Sequence, residues 1–153
     1  MNIPNLQKLL KHLQKQQNSR RAARFNMKYW GDAHCASMSG VLKKPVCKTQ
    51  ACLAGETVLA LGAAEISAHG GLVLFSNPFG SIEKEAAQLL ELDDLQRTKL
   101  FKFKTWTCSI FSSSGNGWPV KFETAYEKAK TPSKRLGVAI QRLKHFIKTD
   151  GTE

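Results

Sequence analysis

The sequence predicts a mainly α-helical fold: a single compact helical domain over residues 1–153 with at most a short two-stranded β element. Three observations predict it. Both ends of the chain carry leucine or isoleucine at every third or fourth position, which is the period of an amphipathic helix. Helix-capping residues precede several of the segments between them. No repeat or linker divides the chain, and 153 residues, 42% of them hydrophobic, suffice for one core.

The first helix is predicted over 4–17, with Asn2 or Asn5 as its N-cap. Its apolar face carries leucines at the spacing i, i+3, i+4, i+7: Leu6, Leu9, Leu10 and Leu13. Its other face carries Lys8, Lys11 and Lys15. A short helical turn is expected over 20–24 (RRAAR), and the aromatic segment 25–30 (FNMKYW) is expected to place Phe25, Met27 and Trp30 against the core.

Three helices are predicted in the middle of the chain. The first, over about 50–62 with Thr49 as N-cap, is rich in alanine and glycine and is expected at the buried centre, because small side chains allow close approach of another backbone. A helix from Ser81 to about Leu92 and one from Asp93 or Asp94 through Leu100 follow.

Two segments carry β character. Residues 72–75 (LVLF) are interpreted as a short strand or an extended loop. Residues 99–111 alternate in a period of two, which favours a strand or hairpin arm with 72–75 as its obvious partner. Residues 112–119 are expected to form a loop.

The last helix is predicted from Thr131 as cap and Pro132 as first residue to an end at Asp150-Gly151. Its apolar stripe is Leu136, Ile140, Leu143, Phe146 and Ile147. The opposite side is expected to hold the cations: Lys134, Arg135, Arg142, Lys144 and Lys148. A helix over 123–130 would be joined to it by Thr131 alone, which is too tight for a DNA-binding helix-turn-helix.

Charge is the strongest functional signal. The formal net charge is +11, and the basic N-terminal helical segment 1–31 holds seven Lys or Arg residues and no acid. A field of one sign attracts polyanions, so the sequence predicts an anion-binding surface. Its candidate residues are Arg20, Arg21, Arg24, Lys28, Lys43, Lys44, Lys102 and Lys104. Near the last two, Phe101, Phe103 and Trp106 are either base-stacking aromatics or, as the favoured alternative, an ordinary hydrophobic face.

No metal, cofactor or catalytic site is predicted. His34, Cys35, Cys47 and Cys52 are zinc candidates, but their spacing matches no common zinc site, and small buried cysteines explain them better. A nucleophile formed by Cys35 or Cys52 with His34 or His69 has no spacing that specifies it. The sequence contains neither of the two glycine-rich phosphate-binding motifs, G-x-x-x-x-G-K-S/T and G-x-G-x-x-G.

The expected compartment is the cytoplasm. The first residues lack the apolar core and cleavage site of a secretory signal, and no apolar run approaches the length of a membrane span. Four cysteines are too few for a disulfide framework.

Several segments resemble a group of small accessory proteins encoded by bacteriophages and prophages. The matching segments are 25–30 (FNMKYW), 47–55 (CKTQACLAG), 86–101, 118–129 and 131–151. In that group the cysteine segment usually has glycine where Lys48 stands, and residues 103–117 look like an insertion. The resemblance implies a phage accessory protein and supplies no active site.

The sequence therefore predicts a non-catalytic phage-type protein that binds nucleic acid or a nucleotide through a basic surface. One alternative is a counter-defence inhibitor that docks on an acidic or nucleic-acid-binding host protein complex. The weaker alternative is an enzyme, either a nuclease or a thiol-dependent transferase. Neither the partner nor the oligomeric state is predicted further.

Overall fold

The computed structural model describes residues 1–19, 25, 52–66, 72–77, 80–103 and 117–153. Within these ranges the chain forms six helices and one two-stranded antiparallel sheet, so the mainly α prediction is confirmed. The elements in chain order are α1 (Ile3–Gln17), α2 (Leu53–Ala60), β1 (Ala64–Ile66), β2 (Leu72–Leu74), α3 (Ile82–Leu89), α4 (Asp94–Phe101), α5 (Val120–Lys128) and α6 (Pro132–Lys148).

Helix α1 forms as the leucine spacing predicts. The side chain of Asn2 accepts a hydrogen bond from the backbone N–H of Asn5 at 3.0 Å, so Asn2 is the N-cap. Leu6, Leu9 and Leu13 are fully buried, and the lysines of the opposite face are exposed. The helix is amphipathic, and its apolar stripe determines which side faces the core.

Helix α1 is held at both ends by distant parts of the chain. At its start, Asn2 donates its backbone N–H to the carbonyl of Leu90 at 2.8 Å, and the Asn5 amide donates to that of Leu89 at 2.8 Å. At its end, Gln17 lies against Gly137 of α6, so close that a Cβ there would come 2.7 Å from the amide nitrogen. Helix α1 therefore packs along α6 and reaches the α3–α4 connection.

Helix α6 confirms the predicted start and end. The Thr131 hydroxyl accepts from the N–H of Lys134 at 3.3 Å, and Pro132 occupies the first turn. Leu136, Ile140, Leu143 and Phe146 are buried. Gly151, with φ +72°, donates its N–H to the Phe146 carbonyl at 2.9 Å and closes the helix.

Helix α2 is central but shorter than predicted. Every residue from Leu53 to Val58 is buried, which confirms the buried-centre prediction. The N-cap is Cys52 and not Thr49, and the helix ends at Ala60. Thr49 lies outside the described residues. Gly62, with φ +71°, follows the end of the helix and turns the chain into β1.

The sheet pairs β1 with β2, with Ala64 opposite Leu74 and Ile66 opposite Leu72. A strand over part of 72–75 is therefore confirmed, and within the described residues it pairs with β1. The segment 99–111 begins as helix, because α4 continues through Phe101. Its remaining residues from 104 onward lie outside the described part of the chain.

Helices α3 and α4 start where the caps predict. Ser81 accepts from the N–H of Lys84, and Asp93 forms a reciprocal capping box with Gln96. Helix α3 ends at Leu89, three residues before the predicted Leu92. The reason is local, because Glu91 has a positive φ of 51°, which no α-helix accommodates.

An aromatic cluster fills the core beside α5. Phe103 contacts Tyr126 and Trp118 with ring centroids 4.6 and 5.4 Å apart, and the Trp118 indole donates to the Leu100 carbonyl at 2.8 Å. Phe25 packs against Tyr126 from the other side at 6.5 Å, as its predicted burial requires. Phe101 and Phe103 are 0% and 7% exposed, so they belong to the hydrophobic face and offer no surface for base stacking.

The connection before α6 differs from the prediction. Helix α5 starts at Val120 and ends at Lys128, so three residues, 129–131, join it to α6. The expected connection of Thr131 alone is wrong, because Ala129 is already extended and its N–H closes the last turn of α5 on the Ala125 carbonyl.

Two glycines provide a matched test of these helix ends. Both Gly62 and Gly151 have positive φ, but a Cβ at Gly62 meets nothing within 4 Å, whereas one at Gly151 would lie 2.8 Å from the Gln96 amide. We expect Gly62→Ala to lower the free energy of unfolding by about 1 kcal/mol through backbone strain alone. Gly151→Ala is expected to lower it further, since Gln96 must also move. Urea unfolding of both variants measures the difference, and equal losses would contradict this account.

Candidate anion-binding surface

The structure describes only one of the eight residues predicted to bind anions. Lys102 is half-buried at the C-terminal end of α4, where its carbonyl accepts from the N–H of Trp118 at 3.0 Å. The other seven lie outside the described residues, and their roles stay predictions: Arg20, Arg21, Arg24, Lys28, Lys43, Lys44 and Lys104.

Of the residues predicted as possible zinc ligands or nucleophiles, the structure describes one. Cys52 is half-buried at the start of α2. His34, Cys35, Cys47 and His69 lie outside the described ranges. Among the residues that are described, no group of three or more His, Cys, Asp or Glu side chains is arranged to hold a metal ion.

A basic surface nevertheless stands out on α1 and α6. These two packed helices contain no Asp or Glu over Ile3–Gln17 and Pro132–Lys148. Six of their lysines are exposed, and we call them the lysine surface: Lys8, Lys11, Lys15, Lys134, Lys144 and Lys148. Within the described part of the molecule, no carboxylate forms an ion pair with any of the six.

Helical spacing arranges these lysines in two rows. On α1, Lys8, Lys11 and Lys15 follow the spacing i, i+3, i+7, directly opposite the buried leucines. On α6, the three lysines fall within an arc of about 80° around the axis at 100° per residue. Since α1 packs along α6, the two rows lie on neighbouring helices.

The carboxylates collect elsewhere. Five of the chain's 12 acidic residues lie on α3, on α4 or between them: Glu83, Glu85, Glu91, Asp93 and Asp94. They have local partners. Arg97 pairs with Glu83 at 3.2 Å and with Asp94 at 3.0 Å, and Glu85 accepts from the Ser76 hydroxyl at 2.8 Å.

The electrostatics of Glu83 fit this local pairing. Burial raises its pKa above the ordinary value, while the positive charge of Arg97 and then those of Lys102 and Lys84 oppose the rise. The carboxylates of this acidic cluster therefore pair with cations close to them. Within the described residues, none of them pairs with the lysines of α1.

Arg142 corrects the sequence prediction for α6. It was expected on the cationic side, but its side chain is fully buried. The guanidinium donates to the carbonyls of Lys99 and Glu153 at 2.9 and 2.8 Å, and it lies 5.4 Å from the ring centroid of Phe146. Burial lowers the pKa of Arg142 to about 10, against the opposing charge of Glu153, so the side chain stays cationic at neutral pH.

The sequence does indicate that Arg142 is buried, although the spacing of the leucines alone does not show it. Ala139 and Phe146 lie three residues before and four residues after it, on the same side of the helix, and both are fully buried. The apolar face of α6 is therefore wider than its leucines indicate. Arg142 joins α6 to the end of α4 and contributes no surface charge.

A second polar contact that spacing does not predict joins α1 to α2. Glu56 is 3% exposed, and one of its carboxylate oxygens lies 2.8 Å from His12 Nε2 and accepts from the Gln16 amide at 2.5 Å. Forty-four residues separate His12 from Glu56, so no local motif indicates the pair. The cluster satisfies a buried carboxylate and holds the two helices together.

No protein-family model, no curated protein and no solved structure matches this chain. The function is therefore inferred from the chain's own residues. None of the helices in the described ranges is both long enough and apolar enough to cross a bilayer.

Two neighbouring cations of α6 separate structural from surface charge. We expect Arg142→Ala to lower the free energy of unfolding by roughly 2–4 kcal/mol, because it leaves a cavity and two carbonyls without their donor. Lys144→Ala, an exposed site on the same helix, is expected to change it by less than about 0.5 kcal/mol. Denaturant unfolding at pH 7 measures both, and an equally small effect of Arg142→Ala would contradict a structural role.

Proposed function

We propose that this protein is a non-catalytic nucleic-acid-binding protein that holds the phosphate backbone on its lysine surface. The observation that supports the proposal is the pairing of two carboxylate-free helices that expose six lysines. Exposed ammonium groups attract phosphates and release the counterions condensed on them, which is the main source of sequence-independent affinity.

The remaining charge of the chain points the same way. Eight of the 23 Lys and Arg residues lie outside the described residues, together with a single carboxylate, Asp32. Three of those cations, Arg20, Arg21 and Arg24, follow α1 directly in the sequence and would extend its basic field. This excess adds to the attraction for a polyanion and to the cost of leaving the surface unoccupied.

The proposed setting is the cytoplasm of a bacterial host, as a phage-type accessory protein. Both parts of this setting are predictions from the sequence, and the second rests on the resemblance of several segments to phage proteins. Exposed lysines are suited to phosphate contacts, which position a nucleic acid without reading its bases, so the proposed binding is independent of nucleotide sequence.

Salt dependence tests the proposal. We expect fluorescence anisotropy with a short labelled duplex to give a plot of log K against log salt with a slope of about −5, because each of the six lysines contributes roughly 0.9. The double variants Lys8→Gln/Lys11→Gln and Lys144→Gln/Lys148→Gln should each weaken binding and reduce the magnitude of the slope by about 2.

The control double variant removes two positive charges that lie outside the lysine surface. Lys84 on α3 and Lys130 before α6 are exposed and lie outside the lysine surface, so Lys84→Gln/Lys130→Gln should leave the slope nearly unchanged. Equal weakening by all three double variants would show that net charge, and not this surface, drives binding. If the wild type fails to bind near micromolar concentration at low salt, nucleic acid is excluded as the partner.

A further inference from the structure

A groove between α5 and α6 adjoins the lysine surface. Its volume is about 430 Å³, within the range of about 300–1,000 Å³ that holds small organic ligands. It is lined by Lys121, Phe122, Ala125, Lys134, Gly137, Val138 and Gln141. Lys134 belongs to both the groove and the lysine surface, so the two adjoin at this residue.

The floor of the groove is apolar and contains an aromatic ring. Phe122 is half-buried, and its ring centroid lies 5.4 Å from that of His145. Ala125 leaves space beside this ring, because its side chain is too short to fill it, while at Gly137 the Gln17 amide nitrogen lies 2.7 Å from where a Cβ would stand. A flat apolar ligand therefore finds an aromatic ring with room beside it, and the Arg142 guanidinium already lies 5.8 Å from the centroid of that ring.

The rim of the groove is cationic. Lys121 Nζ lies 5.2 Å from the Phe122 centroid and 3.4 Å from His145 Nε2, while Lys134 borders the groove from α6. A carboxylate oxygen of Glu153 also lies 2.9 Å from His145 Nε2.

The acidic residues of α5 point elsewhere. Glu123 and Glu127 stand two residues before and two after Ala125, so helix geometry places them about 160° around the axis from the groove. Because α6 has no acid, the groove combines an apolar floor with positive charge at its edges, which complements a ligand that has a flat ring and flanking anions.

We propose that this groove binds one unstacked base of single-stranded nucleic acid, with the base on Phe122 and the adjoining phosphates on Lys121 and Lys134. The inference rests on the proposed function and deepens it, because it makes the single strand the preferred ligand. A paired base inside a duplex cannot enter the groove without leaving its stack. A base in a single strand enters freely, and stacking tolerates any sequence.

Three probes of equal phosphate number test the inference by anisotropy at one salt concentration: an oligo-dT strand, a strand of abasic spacers, and a duplex. We expect the wild type to bind oligo-dT about tenfold more tightly than the abasic strand, the contribution of one stacked base. Ala125→Leu fills the groove from an exposed position and should remove this tenfold preference while leaving abasic and duplex binding unchanged.

The matched control is Thr124→Leu, which adds a leucine at the neighbouring exposed position of α5, outside the groove lining. It should keep the wild-type preference. Equal affinity for oligo-dT and the abasic strand, or an unchanged preference in Ala125→Leu, would overturn the groove assignment while the lysine surface still binds phosphate. Failure of all three probes to bind would instead reject the proposed function itself.

Discussion

The packing of α1 against α6 is the contact on which the rest of the structure depends. Each helix has one apolar stripe, and each stripe must be buried. Once Leu6, Leu9 and Leu13 face the core from α1, and Leu136 and Leu143 do so from α6, the lysines of both helices can only point outward. The constraint that forms the core thus also forms the basic surface. The two properties have one cause, and a change that separates the helices affects both.

The interior supports this arrangement with two charged side chains that have structural roles. Arg142 joins α6 to α4 through backbone carbonyls, and Glu56 joins α2 to α1 through His12 and Gln16. A buried charge is tolerated where hydrogen bonds replace its water. Glu56 accepts from Gln16, and Arg142 donates to two carbonyls through its terminal nitrogens, while its buried Nε has no hydrogen-bond partner within the described residues. Their contacts bind helix to helix, so the residues left to meet a partner are those of the surface.

Much of the fold follows from local signals. Asn2, Ser81, Asp93 and Thr131 each cap the helix that begins after them, because a short polar side chain satisfies a backbone N–H that the helix leaves open. Where the sequence prediction is wrong, a tertiary contact or a competing local signal determines the structure instead. The alternation over 99–111 suggested a strand, but the capping box at Asp93 starts a helix that extends through Phe101.

The sequence predicts the positive charge of the candidate site but not its position in the fold. The cationic excess near the N-terminus indicated an anionic partner, and three of the seven cations, Lys8, Lys11 and Lys15, lie in the described surface. Its second half on α6 was interpreted as the solvated side of an ordinary helix. Spacing within one helix cannot show that a helix more than 100 residues away lies beside it. The groove depends on the same kind of contact, between α5 and α6.

The unequal placement of the lysines and the carboxylates has a kinetic consequence. Positive charge is concentrated on α1 and α6, whereas the carboxylates around α3 and α4 are nearly balanced by cations of the same helices, so the described part of the molecule has an electric dipole. Near a polyanion this dipole experiences a torque that turns the basic helices forward before contact, which shortens the rotational search. The torque acts over roughly one Debye length, about 8 Å at physiological ionic strength, so orientation is gained in the last steps of approach.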